Sequence, residues 1–331
     1  MNTTKNNMKK ELEIFHNIEN LIKSHDNIFI FHHVYPDGDC LGAQFGLLNL
    51  IKLNFPEKQV FAIGDHENLY PFLPKTNTNL ENLDTHFLQN SLAIVVDGDG
   101  SRRVAKSQYL YNPKIFKTSL RIDHHNSQPD IQYDYEWDDH LYTSVAEQIG
   151  WMAKNLHWKM NKLAADFLYL GINTDSGRMS FERTNARTFS TLSYLCQNGL
   201  KPYDINLEIN RRTENQIRFM GYVLTNMKIV NQFVYCFITQ EVIKKFNLNV
   251  IEANDANMIG NIKGTKLWAF FVELEDGRFR IRLRSNSIKV ENSLAPFGLM
   301  GGHYFSTAGT FKKEQTDAII EYLKEFSLNE K

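Results

Sequence analysis

Cysteine is scarce in this 331-residue chain: Cys40, Cys196 and Cys236 are far apart and form no CxxC pair. An odd, scattered set excludes a disulfide scaffold and a zinc ribbon, and it fits a reducing cytoplasm. Long apolar runs are lacking too. None approaches the roughly 18 residues of a membrane span. The opening stretch MNTTKNNMKKELEIF has neither the apolar core nor the cleavage site of a signal peptide. These absences argue against an intrinsic membrane protein and a secreted precursor. An excess of basic charge is also missing, since 37 Lys and Arg against 38 Asp and Glu leave a net charge of -1. A surface built for long duplex DNA is therefore not expected, although a local basic stripe remains compatible with this balance.

What is present is enough apolar residue, 42%, for one large domain or two ordinary ones. In the first half, short apolar runs at 27–33, 60–64, 92–97 and 118–123 are separated by helix-length segments. This pattern predicts a parallel sheet in an α/β domain, with helices over 8–24, 40–53, 143–156 and 160–171. Asn198-Gly199 and Pro202 then punctuate the chain. A long helix over 204–226 is expected next. Strands near 229–238, 267–274 and 278–285 follow, with helices at 240–246 and 314–326, as in a smaller α+β domain. The expected boundaries are a domain over 1–195, a helical linker over 196–225 and a second domain over 226–331.

The strand ends carry the chemistry. The first runs into His33-Val-Tyr-Pro-Asp37-Gly-Asp39, the third into Asp97, and the fourth into Asp123-His124-His125. Asp175 follows a later helix. Parallel α/β sheets bind ligands outside the carboxyl ends of their strands, so these side chains are expected to share one crevice. One aspartate at a strand end is ordinarily a turn former or helix cap, and Asp39 before a helix is a case in point. Three successive strand ends of this kind are hard to explain so simply. Clustered carboxylates repel one another unless cations offset the charge. Aspartate oxygens with a minority of imidazoles suit Mn²⁺ or Mg²⁺ better than zinc. Four aspartates and two histidines are too many for one ion and about right for two. Two ions roughly 3.5–4 Å apart activate water and clamp a phosphoryl group, which points to phosphate-ester hydrolysis.

These motifs resemble the DHH phosphoesterase family. His33–Asp39 matches HxxPDxD, and 95–97, 123–125 and 171–181 match VVD, DHH and GINTDSGRMSF in family order. Phe279-Arg-Ile-Arg-Leu-Arg-Ser285 and Gly301-Gly302-His303 resemble the strand and glycine-rich loop of the associated DHHA1 domain. The two halves together look most like the NrnA-like branch of bifunctional oligoribonucleases and pAp phosphatases, where pAp is 3′-phosphoadenosine 5′-phosphate. The resemblance implies a DHH catalytic domain followed by a DHHA1 substrate domain. It implies that His33, Asp37 and Asp97 hold one metal ion. Asp39, Asp97, His124 and Asp175 would hold the other, with Asp97 bridging. His125 would contact the scissile phosphate, and Asp123 would orient His124. Arg103, Arg284, Ser285, Gly301, Gly302 and His303 would bind substrate. The chain departs from the pattern at Gly98-Asp99, at Leu299 and Met300, at Arg282, and after His303.

Arg278, Arg280, Arg282 and Arg284 alternate with Phe279, Ile281 and Leu283, so a strand would place all four on one face. Such a stripe is either a solvated outer surface or a short phosphate-binding track. Glu273 and Glu275 are placed to neutralise part of it. The reading is a cytoplasmic hydrolase with two Mn²⁺ ions, Mg²⁺ and Co²⁺ being substitutes. Its expected substrates are short single-stranded RNA, dinucleotides or pAp, and a homodimer is compatible. A phosphodiesterase for cyclic or linear dinucleotides and a non-catalytic nucleotide-binding protein are the alternatives.

Overall fold

A computed structural model describes residues 2–66, 69–75, 78–98, 100–111, 114–126, 128–298 and 300–329. The chain forms two compact units, Met1–Asn210 and Arg211–Lys331. The stretch 196–225, expected as a linker, is divided between them.

The first unit runs α1 Asn2–Ser24, β1 Asn27–Phe31, α2 Gly38–Asn54, β2 Gln59–Ile63, α3 Thr85–Gln89 and β3 Leu92–Val96. It continues with β4 Thr118–Asp123, β5 Tyr135–Asp138, α4 Val145–Asn155, α5 Lys162–Asp175, α6 Ala186–Gln197 and α7 Pro202–Asn210. Its five strands are parallel, in the order β2-β1-β3-β4-β5. Both sheet faces are covered, which is why the central strands β1 and β3 read as nearly continuous apolar runs. Ile28 and Ile30 enter the core with Ile94 and Val96, while Phe29 and Phe31 enter a second core with Ala93 and Val95. The strand order reverses between β1 and β3, and the crevice at such a switch point is where open parallel sheets bind ligands. His33 and Asp97 follow these two strands.

Helix α2 is buried along most of its length and packs on α5. A Cβ on Gly42 would collide with the backbone of Phe167 and Gly171. One on Gly171 would strike Ala146 and Asp39. This close approach sets Asp39, in the first turn of α2, near Asp175 at the end of α5.

The second unit comprises α8 Glu214–Asn226, β6 Lys228–Val230, β7 Phe233–Ile238, α9 Gln240–Lys245, β8 Leu267–Glu273 and β9 Phe279–Ser285. β10 Met300–His303, β11 Ser306–Phe311 and α10 Thr316–Asn329 complete it. The sheet order is β10-β11-β9-β8-β7-β6, antiparallel except between β7 and β8.

The expected long helix over 204–226 is broken. Thr213 adopts extended backbone and accepts a hydrogen bond from the Gln216 amide, while the Gln216 side chain accepts from the Thr213 amide. This reciprocal cap starts α8 as a new helix. Strand β5 had no apolar run to announce it, because Tyr135, Glu136 and Asp138 alternate with a single buried Trp137. The glycine-rich segment, expected as a loop, is a strand, β10, paired with β11.

Candidate metal centre

The turn after β1 is fixed by its own backbone. Val34 donates to the Arg103 carbonyl at 2.6 Å, and the His33 ring bonds the Val34 carbonyl at 2.8 Å through Nδ1. That leaves His33 Nε2 facing Asp37 Oδ1 at 3.6 Å and Asp97 Oδ2 at 3.4 Å. Asp37 is the N-cap of α2 and accepts from the amides of Asp39 and Cys40. The cap is thus Asp37, whereas Asp39 lies within the first turn of the helix and reaches elsewhere. Its two oxygens accept from Val145 and Ala146 at the start of α4, at 2.7 and 2.9 Å. Helix amides favour an anion there.

A second group forms around His124. Its Nε2 lies 3.8 Å from Asp39, 3.6 Å from Asp97 Oδ1 and 3.2 Å from Asp175. Asp97 therefore turns one oxygen to His33 and the other to His124. Its backbone is left-handed, with φ +57, and its amide bonds the Ile122 carbonyl at 3.0 Å. Ligand atoms converge within 4.8 Å in three sets: His33, Asp37, Cys40 and Asp97; Asp97, His124 and His125; and Asp39, His124 and Asp175.

The donor set fits hard divalent cations. Asp39 is 1% exposed, and burial, with Asp97 and Asp175 adding repulsion, pushes its carboxyl well above the usual carboxylate range. Asp97 Oδ1 is buried and accepts no hydrogen bond among the described residues. A cation would satisfy both. Cys40 is a poor candidate ligand, because burial pushes its thiol up to about 12 and its sulfur is engaged with Asp37.

Asp123 corrects one expectation. Its Oδ1 accepts from the backbone amide of His124 at 2.7 Å, but the ring it grips is that of His125, at 2.6 Å from Nδ1. Residues two apart at a strand end share a side, so the carboxylate meets the second histidine rather than the first. Burial alone would lower the His125 pKa, but the Asp123 carboxylate outweighs it and holds the imidazole at about 9.

Behind Asp123 stands a residue the sequence did not single out. Arg121 is 1% exposed and donates to Asp123 at 2.7 Å, Glu136 at 2.9 Å and Asp138 at 2.6 Å. Parallel register supplies the partners, pairing Arg121 with Glu136 and Asp123 with Asp138. The hint available in the sequence was a lone arginine inside an apolar run, matched by two acids on β5. Arg121→Met should lower stability by about 3–5 kcal/mol, because it breaks a buried three-acid ion network and leaves Asp123 with His125 alone as a charged partner. Urea unfolding would measure this, and a loss under about 1 kcal/mol would put Arg121 among surface ion pairs.

In the second unit, Arg280, Arg282 and Arg284 alternate along β9 opposite Val272, Phe270 and Trp268 of β8. Their face is half-buried rather than an outer surface. Arg278 does not join them: it precedes the strand and pairs with Asp276 at 2.7 Å. Glu273 accepts from the Gln240 amide, at 2.9 Å. Burial, then Arg282, lowers the Arg284 guanidinium to about 10. The Ser285 hydroxyl accepts from the amides of Ser287 and Ile288 and so shapes a turn. β10 is an edge strand. A Cβ on Gly302 would strike the β11 backbone, whereas Gly301 faces open space. The side chain of His303, and Asp99 and Leu299, lie outside the described residues.

Residues 27–172 match the DHH family N-terminal domain and 230–328 the DHHA1 domain. The chain is 36% identical, over 94% of its length and 97% of the relative's, to the bifunctional oligoribonuclease and PAP phosphatase NrnA of Mycoplasma genitalium. The chain belongs to the DHH phosphoesterase family. DHH phosphoesterases are metal-dependent hydrolases of phosphate esters, and this chain is one. The NrnA protein of Bacillus subtilis is 31% identical over 92% of the chain and 95% of that protein. The fold is shared with an exopolyphosphatase-related protein from Bacteroides fragilis, at a TM-score of 0.84 and 22% identity over 95% of this chain and 96% of that one. No helix among the described residues is long and apolar enough to cross a membrane.

Within the DHH domain the structure brings His33, Asp37, Asp39, Asp97, His124, His125 and Asp175 together, with Asp123 behind them. Arg103 lies beside the same crevice, its backbone holding the turn after β1. Arg284, Ser285, Gly301 and Gly302 belong to the DHHA1 domain.

Proposed function

We propose that this DHH–DHHA1 chain hydrolyses short oligoribonucleotides to nucleoside 5′-monophosphates, and pAp to AMP and phosphate. One observation carries the reaction class: a single carboxylate, Asp97, with an oxygen toward each of two histidine–carboxylate groups. The named activities of the Mycoplasma and Bacillus relatives support the choice of substrates.

His33, Asp37 and Asp97 would hold one Mn²⁺ and Asp39, Asp97, His124 and Asp175 another, Mg²⁺ or Co²⁺ being substitutes. Such ions, when bound, supply an activated water and offset charge on the phosphate. The chain's own residues position both. The α4 amides hold Asp39 rigid, and the α2 amides hold Asp37. With Nδ1 committed to Asp123, His125 would donate through Nε2 to a phosphate oxygen. Arg103 would add positive charge to the same group. In the DHHA1 domain, Arg284 and the edge strand at Gly301 and Gly302 would bind the phosphorylated end of the substrate, with Ser285 shaping the turn beyond β9.

The test is kcat/KM of the Mn²⁺-loaded protein on labelled RNAs of two to ten nucleotides, on pAp and on cyclic dinucleotides. The shortest RNAs and pAp should lead. A higher value for cyclic dinucleotides would replace this reading. Arg284→Ala should reduce kcat/KM on dinucleotides and pAp about 10- to 150-fold, the effect of one lost charge-assisted bond, and barely alter hydrolysis of bis-p-nitrophenyl phosphate. Equal losses on all three would place Arg284 at the reacting phosphate.

A further inference from the structure

A cavity of about 680 Å³ opens at the carboxyl ends of β1 and β2. His33 forms part of its wall, so it adjoins the candidate metal centre directly. Its lining is mixed. Apolar Val34, Ile63 and Leu80 line it together with Asp65 and the cations Lys75 and Lys106, the latter 3.7 Å from Glu81 in a half-exposed ion pair. Tyr35 stands at the rim, 77% exposed. Tyr35 also has φ +56 and precedes Pro36, where extended backbone is the rule. A bulky residue in that conformation is uncommon and persists where the surroundings impose it. Here the hydrogen bond from Val34 to the Arg103 carbonyl and the Asp37 cap pin the chain on either side. The turn that aims His33 and Asp37 at the centre thus holds an aromatic ring out over the neighbouring cavity. The volume lies in the ordinary range for a small-molecule site, about 300–1,000 Å³.

The two substrates of the proposed function differ in what such a cavity would take. Both yield nucleoside 5′-monophosphates, so in both the bond between O3′ and phosphorus breaks. The oxygen of water ends on phosphorus, and O3′ leaves as a hydroxyl carrying a proton. In pAp the phosphorus bears nothing further. In an oligoribonucleotide it bears a second nucleoside through O5′. A base has an apolar face suited to stacking on a tyrosine, and any further phosphate is an anion suited to lysines.

We propose that this cavity is the subsite for the nucleoside attached to the reacting phosphorus through O5′, with Tyr35 stacking on its base and Lys75 and Lys106 attracting the next phosphate. It serves oligoribonucleotides and is bypassed by pAp. This rests on the function proposed above and assigns its two activities to different parts of the DHH domain.

The experiment compares wild type, Tyr35→Ala, Tyr35→Phe and the double variant Lys75→Ala/Lys106→Ala, all loaded with Mn²⁺, on a di- and a triribonucleotide and on pAp. Tyr35→Ala should lose about tenfold in kcat/KM on both RNAs, mostly through KM, the size of one lost base–aromatic contact. Tyr35→Phe should restore it. The lysine variant should weaken the trinucleotide more than the dinucleotide, and pAp hydrolysis should stay within about twofold for every variant. Equal losses on RNA and pAp, or wild-type kinetics of Tyr35→Ala on RNA, would overturn the subsite while leaving the parent reading intact. A wild-type protein that hydrolyses neither RNA nor pAp would overturn the parent reading and the subsite with it.

Discussion

Asp97→Ala should abolish turnover of RNA and pAp alike while the domain stays folded. The reason is geometric. Asp97 Oδ2 lies 3.4 Å from His33 and Oδ1 3.6 Å from His124, so one substitution removes a ligand from both groups. The fold should survive, because the side chain accepts no backbone hydrogen bond among the described residues and its removal relieves repulsion on buried Asp39. A left-handed alanine at φ +57 costs roughly 1–2 kcal/mol. Asp97→Asn is the companion variant, since asparagine tolerates that backbone better. Thermal unfolding reads the metal independently of activity. Mn²⁺ at 100 times its dissociation constant should add about 2.7 kcal/mol to wild type and far less to either variant. Substantial turnover by Asp97→Ala, or by wild type stripped with a chelator, would sink the two-ion reading.

Much of the DHH domain was legible because buried parallel strands leave an unambiguous trace. β1 and β3 are almost wholly apolar and β4 has a short apolar core interrupted by Arg121, and each ends on the titratable residues that chemistry requires. A reader who knows that crevices form at strand ends can place His33, Asp97 and the Asp123–His125 triplet before seeing any coordinates. What stayed hidden depends on contacts between distant segments. Asp39 looked like a helix cap, but its amide partners, Val145 and Ala146, lie over 100 residues away. Arg121 looked like an interruption in a strand. Its role became visible only when β5, too polar to be recognised as a strand, paired beside it.

The second domain was less legible for a related reason. Period-two alternation on β9 correctly separated the arginines from Phe279, Ile281 and Leu283. It could not say that the arginine face carries a core of its own, with Trp268 and Phe270 beside the guanidiniums. Glycines 301 and 302 suggested a loop, because glycine weakens strand propensity. In the structure Gly302 is required by a strand, since β11 passes too close for any side chain.

His125→Ala should keep both metal ions and lower kcat on the order of 10²–10³, the effect of removing one preorganised donor to a developing oxyanion. The two adjacent histidines are separated by what holds their rings. His124 turns Nε2 into a ring of three aspartates, Asp39, Asp97 and Asp175, which is a ligand's environment. His125 gives Nδ1 to Asp123 at 2.6 Å, and Arg121 holds that carboxylate from behind at 2.7 Å. The chain from Arg121 through Asp123 fixes the His125 ring and raises its pKa, which favours the protonated form. A protonated imidazole donates to phosphate and binds metal poorly. Metal stoichiometry separates the cases. His124→Ala should lose one equivalent of Mn²⁺, and His125→Ala none. KM should change little in His125→Ala, because the donor matters most as charge develops on the phosphate oxygens. If His125→Ala released a metal equivalent, His125 would be a ligand, and its contact with Asp97 at 3.4 Å would be the one that matters.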